Sequence, residues 1–552
     1  MLAPTPCPSL PGRTAGHGPE TGEALRGKTG NWVMQVLRTC ITQFPELFSP
    51  FPVRRGGKGD RVLFLVLALL LAGCASAVPA GQPLAPTLAP TQSASATPGT
   101  ASTDPTATRG TSPSPTPSPL PRTSYTLTAV LNYDAHLLVV DERIDYTNRS
   151  PDALDELLLL VEPLHYPAAF NLQGIAWEDG TPVQDFTYDG TMLRLPLTAP
   201  LQPGDHLVLT LNYELSLPSP VPSSDVRPIP FGYTARQTNL VDWFPYVPPY
   251  QPGEGWLAHP AGYFGEHLAF ESADFDVSFK LSSSRSDLVV AASAPAQREG
   301  DSYRYRYDDA RNFALSVSPE YQVYTATVGT TTVTSYAFPY HAAAGQAVLQ
   351  TTTEALGLYN QLFGAYPRPL LSVVEADFLD GMEYDGLYFL SSGFYNLYQG
   401  TPGEYLVAIA AHETAHQWFY ARVGNDQALE PWLDEAMCTY SERLYYENLH
   451  PDALQWWWDY RVNYYQPQGW VDGSIYNPAG YRAYRDAVYL NGALFLEELR
   501  KQVGDEAFFA FLSDYVAQMT GKIATRQDFF RILGDHTSAD LSSLLKKYFQ
   551  SP

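Results

Sequence analysis

One stretch constrains this chain more than any other: Ala411-His412-Glu413-Thr414-Ala415-His416-Gln417-Trp418-Phe419. It lies in a run, residues 404–421, whose apolar positions recur every three to four residues, the period of a helix. His412 and His416, four apart, therefore sit one turn apart on the same face. Two neutral imidazoles so placed reach one Zn2+ at about 2.0–2.1 Å each. Glu413 is turned too far round the helix to be a third ligand there, but it is placed to touch a water on the metal. His-Glu-x-x-His on a helix is a known motif with that division of roles, two ligands and a general base. The competing reading is an ordinary amphipathic helix whose polar face happens to carry these residues.

A catalytic zinc needs a third protein ligand and an open fourth position. Glu435 is the best candidate, separated from His416 by 18 intervening residues, in a second helical run over residues 432–447. Between the runs, Arg422-Val423-Gly424-Asn425-Asp426 carries a Gly-Asn turn signal. Two helices joined there can lie antiparallel and return Glu435 to the histidine pair, giving one zinc per chain. Cys438, one helical turn past Glu435, reads as a small buried residue behind the site.

These residues resemble the M1 family of zinc aminopeptidases, whose pattern is His-Glu-x-x-His, 18 residues, then Glu. Asp380-Gly381-Met382-Glu383-Tyr384 is similar to the family's Gly-x-Met-Glu-Asn exopeptidase motif. Tyr489-Leu490-Asn491-Gly492-Ala493 resembles the segment that carries its catalytic tyrosine. The resemblance implies a multidomain α+β protein, an N-terminal antiparallel β-domain followed by a thermolysin-like zinc metallopeptidase domain. It implies zinc on His412, His416 and Glu435, with Glu413 as base and Tyr489 stabilising the oxyanion. Gly381, Met382 and Glu383 are implied to bind substrate, with Glu383 pairing with a free α-ammonium. Tyr484 is a secondary candidate for the same pocket. Tyr384 stands where the family has Asn, which changes the first side-chain pocket.

The remaining chain fits this frame. After the basic run Arg54-Arg55-Gly56-Gly57-Lys58 come ten residues, 62–71, too few to span a bilayer but suited to a secretory signal. Leu71-Ala72-Gly73-Cys74 resembles a bacterial lipobox, implying lipidation of Cys74 and an extracytoplasmic, membrane-anchored lipoprotein on the cell surface. Residues 1–74 then form an unstructured upstream segment and signal. Residues 75–122, rich in Ala, Pro, Ser and Thr, read as an extended tether. Residues 123–325 alternate apolar and polar as strands do, for example Tyr125-Thr126-Leu127-Thr128-Ala129-Val130-Leu131. Residues 326–552 read as the catalytic domain, strands first and helices after. Asp540-Leu541-Ser542-Ser543-Leu544-Leu545 resembles its last segment, so the helical C-terminal domain of many relatives is expected to be missing and the cleft open. A net charge of −24 argues against nucleic acid.

The expected partners are therefore peptides with a free N-terminus and, through lipid, a membrane. Two alternatives stand beside the aminopeptidase: a thermolysin-type endopeptidase, and a non-catalytic surface binding module on the same scaffold.

Overall fold

The computed structural model describes residues 120–219, 229–477 and 479–551. Cys74, its signal and nearly all of the tether lie outside the described residues. Among the described residues no helix is long and apolar enough to cross a membrane.

Alternation builds the N-terminal half. In β1 (Ser124–Asn132), Tyr125, Leu127, Ala129 and Leu131 are buried while Thr126, Thr128 and Val130 face out. With β2 (Leu137–Thr147), β3 (Phe170–Trp177), β4 (His206–Ser216), β5 (Ala273–Ser282), β6 (Gln297–Glu299) and β7 (Ser302–Ala310) it forms one sheet, ordered β6-β7-β5-β1-β2-β4-β3. The pairings are antiparallel except β1 with β5, which run parallel, Ser124 beside Asp274. The expected antiparallel domain thus contains one parallel pair, closed by the long connection between residues 132 and 273.

A second sheet begins the catalytic half: β8 (Gln322–Val328), β9 (Thr331–Ala337), β10 (Leu370–Ala376), β11 (Gly381–Tyr384) and β12 (Leu387–Ser391), ordered β8-β9-β10-β12-β11. The expected boundary at 325/326 falls inside β8, which pairs along its length with β9. This sheet is covered on both faces, which is why the central strands β10 and β12 are mostly apolar. Leu371, Val373, Tyr388 and Leu390 face a helical core, whereas Val374, Ala376, Leu387 and Phe389 face the core of the β-domain. The Gly-Met-Glu segment forms the edge strand β11.

Four helices matter for the site: α1 (Ala342–Leu362), α2 (Tyr405–Ala415), α3 (Trp432–Leu449) and α4 (Gly492–Val503). The motif helix stops at Ala415 rather than at 421. Trp418 and Phe419 are fully buried, the Trp418 indole donates to the Gly364 carbonyl at 2.8 Å, and Tyr420 takes φ +145°. Packing of these rings overrides the helical tendency of the local sequence.

Arg311 joins the halves. It is buried, and its guanidinium donates to the carbonyls of Phe270 (2.8 Å), Ala421 (3.1 Å), Arg422 (3.0 Å) and Lys522 (2.8 Å). Its backbone N–H donates to Asp385 Oδ2 at 3.0 Å. Replacing it by Ala strands these carbonyls without donors. Arg311→Ala is expected to lower unfolding free energy by about 3–5 kcal/mol, read from a denaturant midpoint. A loss below about 1 kcal/mol contradicts the role assigned to it.

Candidate metal centre and cleft

The two helices of the motif fold back on one another as the Gly-Asn turn suggests. Donor atoms of His412, His416 and Glu435 all lie within 4.8 Å of one another, and all three residues are buried. Glu435 Oε2 is 3.1 Å from His412 Nε2 and 3.6 Å from His416 Nε2. The other ring nitrogens fix which edge points inward. His416 Nδ1 lies 3.1 Å from the Phe419 carbonyl, an acceptor only, so Nδ1 carries the proton and Nε2 presents its lone pair. His412 Nδ1 lies 2.9 Å from Glu442 Oε1, which has the same effect. The two imidazoles hold the Glu435 carboxyl well below its usual range against the opposing effect of burial. Two Nε2 lone pairs and one ionised carboxylate converging in this way fit a zinc ion of the catalytic His2Glu type.

Sequence reasoning missed the support behind His412. Glu442 is fully buried on α3, and Arg461 grips it through Nε (2.9 Å) and Nη2 (2.7 Å), while the Trp457 indole donates at 2.8 Å. Arg461 and His412 keep its carboxyl ionised although burial opposes this. Trp457 and Arg461 both lie in one π-helical turn, Trp457–Val462. Glu442 lies two turns along α3 from Glu435, so helical spacing was an available signal; Trp457 and Arg461 gave none.

Glu413 leans to the other side. Its Oε2 is buried without a hydrogen-bond partner, and burial, reinforced by the charges of Glu383 and Glu435, raises its carboxyl well above the usual range. A Cβ on Gly381 would lie 2.0 Å from Glu413 Oε1, so a side chain there would displace the Glu413 carboxylate. Along β11 alternation places Gly381 and Glu383 on the face of Glu413. Met382 points the opposite way, into the core shared with the β-domain, and so packs rather than lines the cleft. Carboxylate oxygens of Glu383 and Glu413 lie within 4.8 Å of one another and of a His416 ring nitrogen. Gln427 Nε2 steadies Glu383 Oε1 and Asp434 Oδ2, each at 3.0 Å.

Tyr489 comes to the centre as expected. Its hydroxyl donates to Glu435 Oε1 at 2.6 Å, and its ring stacks on His412 with centroids 6.0 Å apart. It sits in a second π-helical turn, Asp486–Asn491, just before α4. Tyr484 is buried edge-on to it, ring centroids 5.8 Å apart. Cys438 is buried behind the site, its thiol 3.8 Å from the Phe419 carbonyl. Glu266, unnoticed in the sequence, enters from the β-domain and lies within 4.8 Å of Glu383 and Glu435. Gly265 before it has φ +74°, and a Cβ there would come 2.4 Å from Ile475 Cγ2, so the β-domain strap presses close against the catalytic half.

Fold and donor set together define a metal centre of the His2Glu type held between two helices. Residues 348–548 match the Peptidase family M1 domain model. Among curated relatives, it is 25% identical to human Aminopeptidase O over 224 residues, 34% of this chain and 26% of that one. To Aminopeptidase M1-B of Oryza sativa subsp. japonica it is 26% identical over 216 residues, 36% of this chain and 25% of that one. The chain thus spans about a quarter of the length of these relatives. The fold is shared with the M1 zinc metallopeptidase from Deinococcus radiodurans, at TM-score 0.54 and 20% identity over 77% of this chain and 93% of that one. A mutant of it bound to a Tyr-Ser-Ala substrate superposes equally well, also at TM-score 0.54.

Zinc retention separates the carboxylates. Glu435→Ala is expected to lose the metal and Glu413→Gln to keep it. Glu442→Gln, which weakens the hold on His412, is expected to lower zinc affinity about 10- to 100-fold. Competition with a chelating dye measures all three, and equal loss from Glu413→Gln and Glu435→Ala contradicts this arrangement.

Proposed function

We propose that this chain is a zinc aminopeptidase that removes the N-terminal residue from peptides. The observation that carries the reading is the buried Glu383 carboxylate, set on the same strand face as the Glu413 contact and within 4.8 Å of Glu413 and His416. A carboxylate there takes a free α-ammonium and leaves room for a single residue before the bond to be cut. Glu266 adds a second negative group from the β-domain side, and Gln427 keeps Glu383 aimed into the cleft.

Zinc, when bound, supplies a Lewis acid that lowers the pKa of water and polarises the scissile carbonyl. Glu413 then acts as general base: its unpartnered Oε2 takes a proton from the attacking water and returns it to the leaving amine. The Tyr489 hydroxyl, oriented beside Glu435, donates to the oxygen on which negative charge develops. An endopeptidase would need no buried carboxylate at this distance, and a binding module would need no unpartnered base.

Truncating one member of a desolvated charge pair costs about 2–5 kcal/mol. Glu383→Ala is therefore expected to cut kcat/KM on free-amine substrates by roughly 30- to 1000-fold, with zinc content unchanged. Acetylating the substrate N-terminus is expected to abolish turnover by the unaltered enzyme. Equal cleavage of acetylated and free peptides leaves a zinc hydrolase but removes the exopeptidase.

We further propose that lipid on Cys74 tethers the enzyme outside the cytoplasm. The support is the Leu71-Ala72-Gly73-Cys74 sequence after an apolar run, followed by a Pro-rich spacer. Two acyl chains on that residue suffice for stable attachment. Mass spectrometry of the native N-terminus is expected to find lipidated Cys74, and an unmodified N-terminus upstream of residue 60 refutes it.

A further inference from the structure

A second cluster of the same donor chemistry lies in the β-domain. Glu162 and His165 occupy one short 3-10 turn, and His267 approaches from the strap, 105 residues from Glu162 in sequence. Donor atoms of all three lie within 4.8 Å of one another. Glu162 and His267 are buried, while the His165 side chain keeps 38% exposure, so solvent reaches one side. Among the described residues the ion-pair partners of Glu162 are these two imidazoles.

The spacing matches that of ligands gathered around a metal ion. Glu162 Oε1 is 3.3 Å from His267 Nε2, and Oε2 is 3.4 Å from His165 Nε2. Other histidine–carboxylate pairs of this protein close to between 2.5 and 3.1 Å: His341–Glu375, His259–Asp426, His536–Asp514 and His450–Glu354. Ligands held at about 2.0–2.1 Å around a tetrahedral ion lie about 3.3–3.4 Å from one another. The pairs in the first cluster, 3.1 and 3.6 Å, bracket the same value.

We propose that Glu162, His165 and His267 bind a second divalent ion of the zinc class, which pins the strap carrying Glu266 to the β-domain. Two imidazoles and a carboxylate suit zinc over calcium or magnesium, which prefer all-oxygen shells. Water completes the coordination on the side left open by His165. The ion holds His267 in place, and the preceding residue, Glu266, is the one that lies close to Glu383 and Glu435. The site is separate from the first cluster and does not depend on the peptidase reading.

The test is metal stoichiometry of the full chain after equilibrium dialysis against buffered Zn2+. About two equivalents are expected for the unaltered protein and about one for His165→Ala, whose exposed side chain can be removed without disturbing the core. The double variant His412→Ala/His416→Ala is expected to keep about one equivalent, and to lose it when His165→Ala is added. That background reads the second site alone, so failure of the catalytic cluster and failure of this one are told apart. Cobalt substitution of the double variant is expected to give the visible absorption of a four-coordinate ion. No metal retained by the double variant, or two equivalents still held by His165→Ala, overturns the proposal.

Discussion

The arrangement of the two halves depends on one buried cation. Arg311 leaves the last strand of the large β-sheet and ends among carbonyls contributed by the β-domain strap, by the chain just past the motif helix and by the segment near Lys522. Burial lowers the pKa of its guanidinium, yet no neutral side chain offers so many fixed donors to backbone groups that water cannot reach. The residues it ties, Phe270 and Ala421–Arg422, lie next to Glu266–His267 and to His416–Tyr420. Domain docking and the shape of the metal centre are thus one packing problem rather than two.

The second organising constraint is electrostatic. Glu266, Glu383, Glu413, Asp434 and Glu435 crowd together, all but Glu266 buried. Burial and mutual repulsion push Glu413 and Asp434 well above the usual carboxylate range. Such a concentration of like charge is costly unless cations share the space. A divalent metal is one such cation.

The legible part of the site was the part encoded by local spacing. His412 and His416 share a helix turn, and the loop to Glu435 carries its own turn signal, so three donors could be placed from periodicity. Glu442 was readable in principle, being on the same helix as Glu435. Arg461, Trp457, Gln427 and Glu266 were not, because each acts across a tertiary contact that no period records. Strand alternation showed the β-domain but not the parallel pairing of β1 with β5, which follows from a connection of well over a hundred residues. The motif helix ended early because buried Trp418 and Phe419 decided the backbone there. Gly381 is a strand residue whose lack of a side chain leaves room for the neighbouring Glu413 carboxylate.

Two residues that steady the centre from outside the zinc helices share a backbone peculiarity. Arg461 and Tyr489 each lie in a π-helical turn, the first gripping the carboxylate behind His412 and the second touching Glu435. A π turn is a helix with one residue more than its neighbours need, and each residue in a helix advances the side chain by about 100°. The aim of both side chains is thus set by a count. A single-codon deletion inside either turn would restore a regular helix with every apolar contact close to hand, and would swing the functional side chain off its target. Loss of one residue between Asp486 and Asn491 would cost the site its register, since Tyr489 would no longer face Glu435.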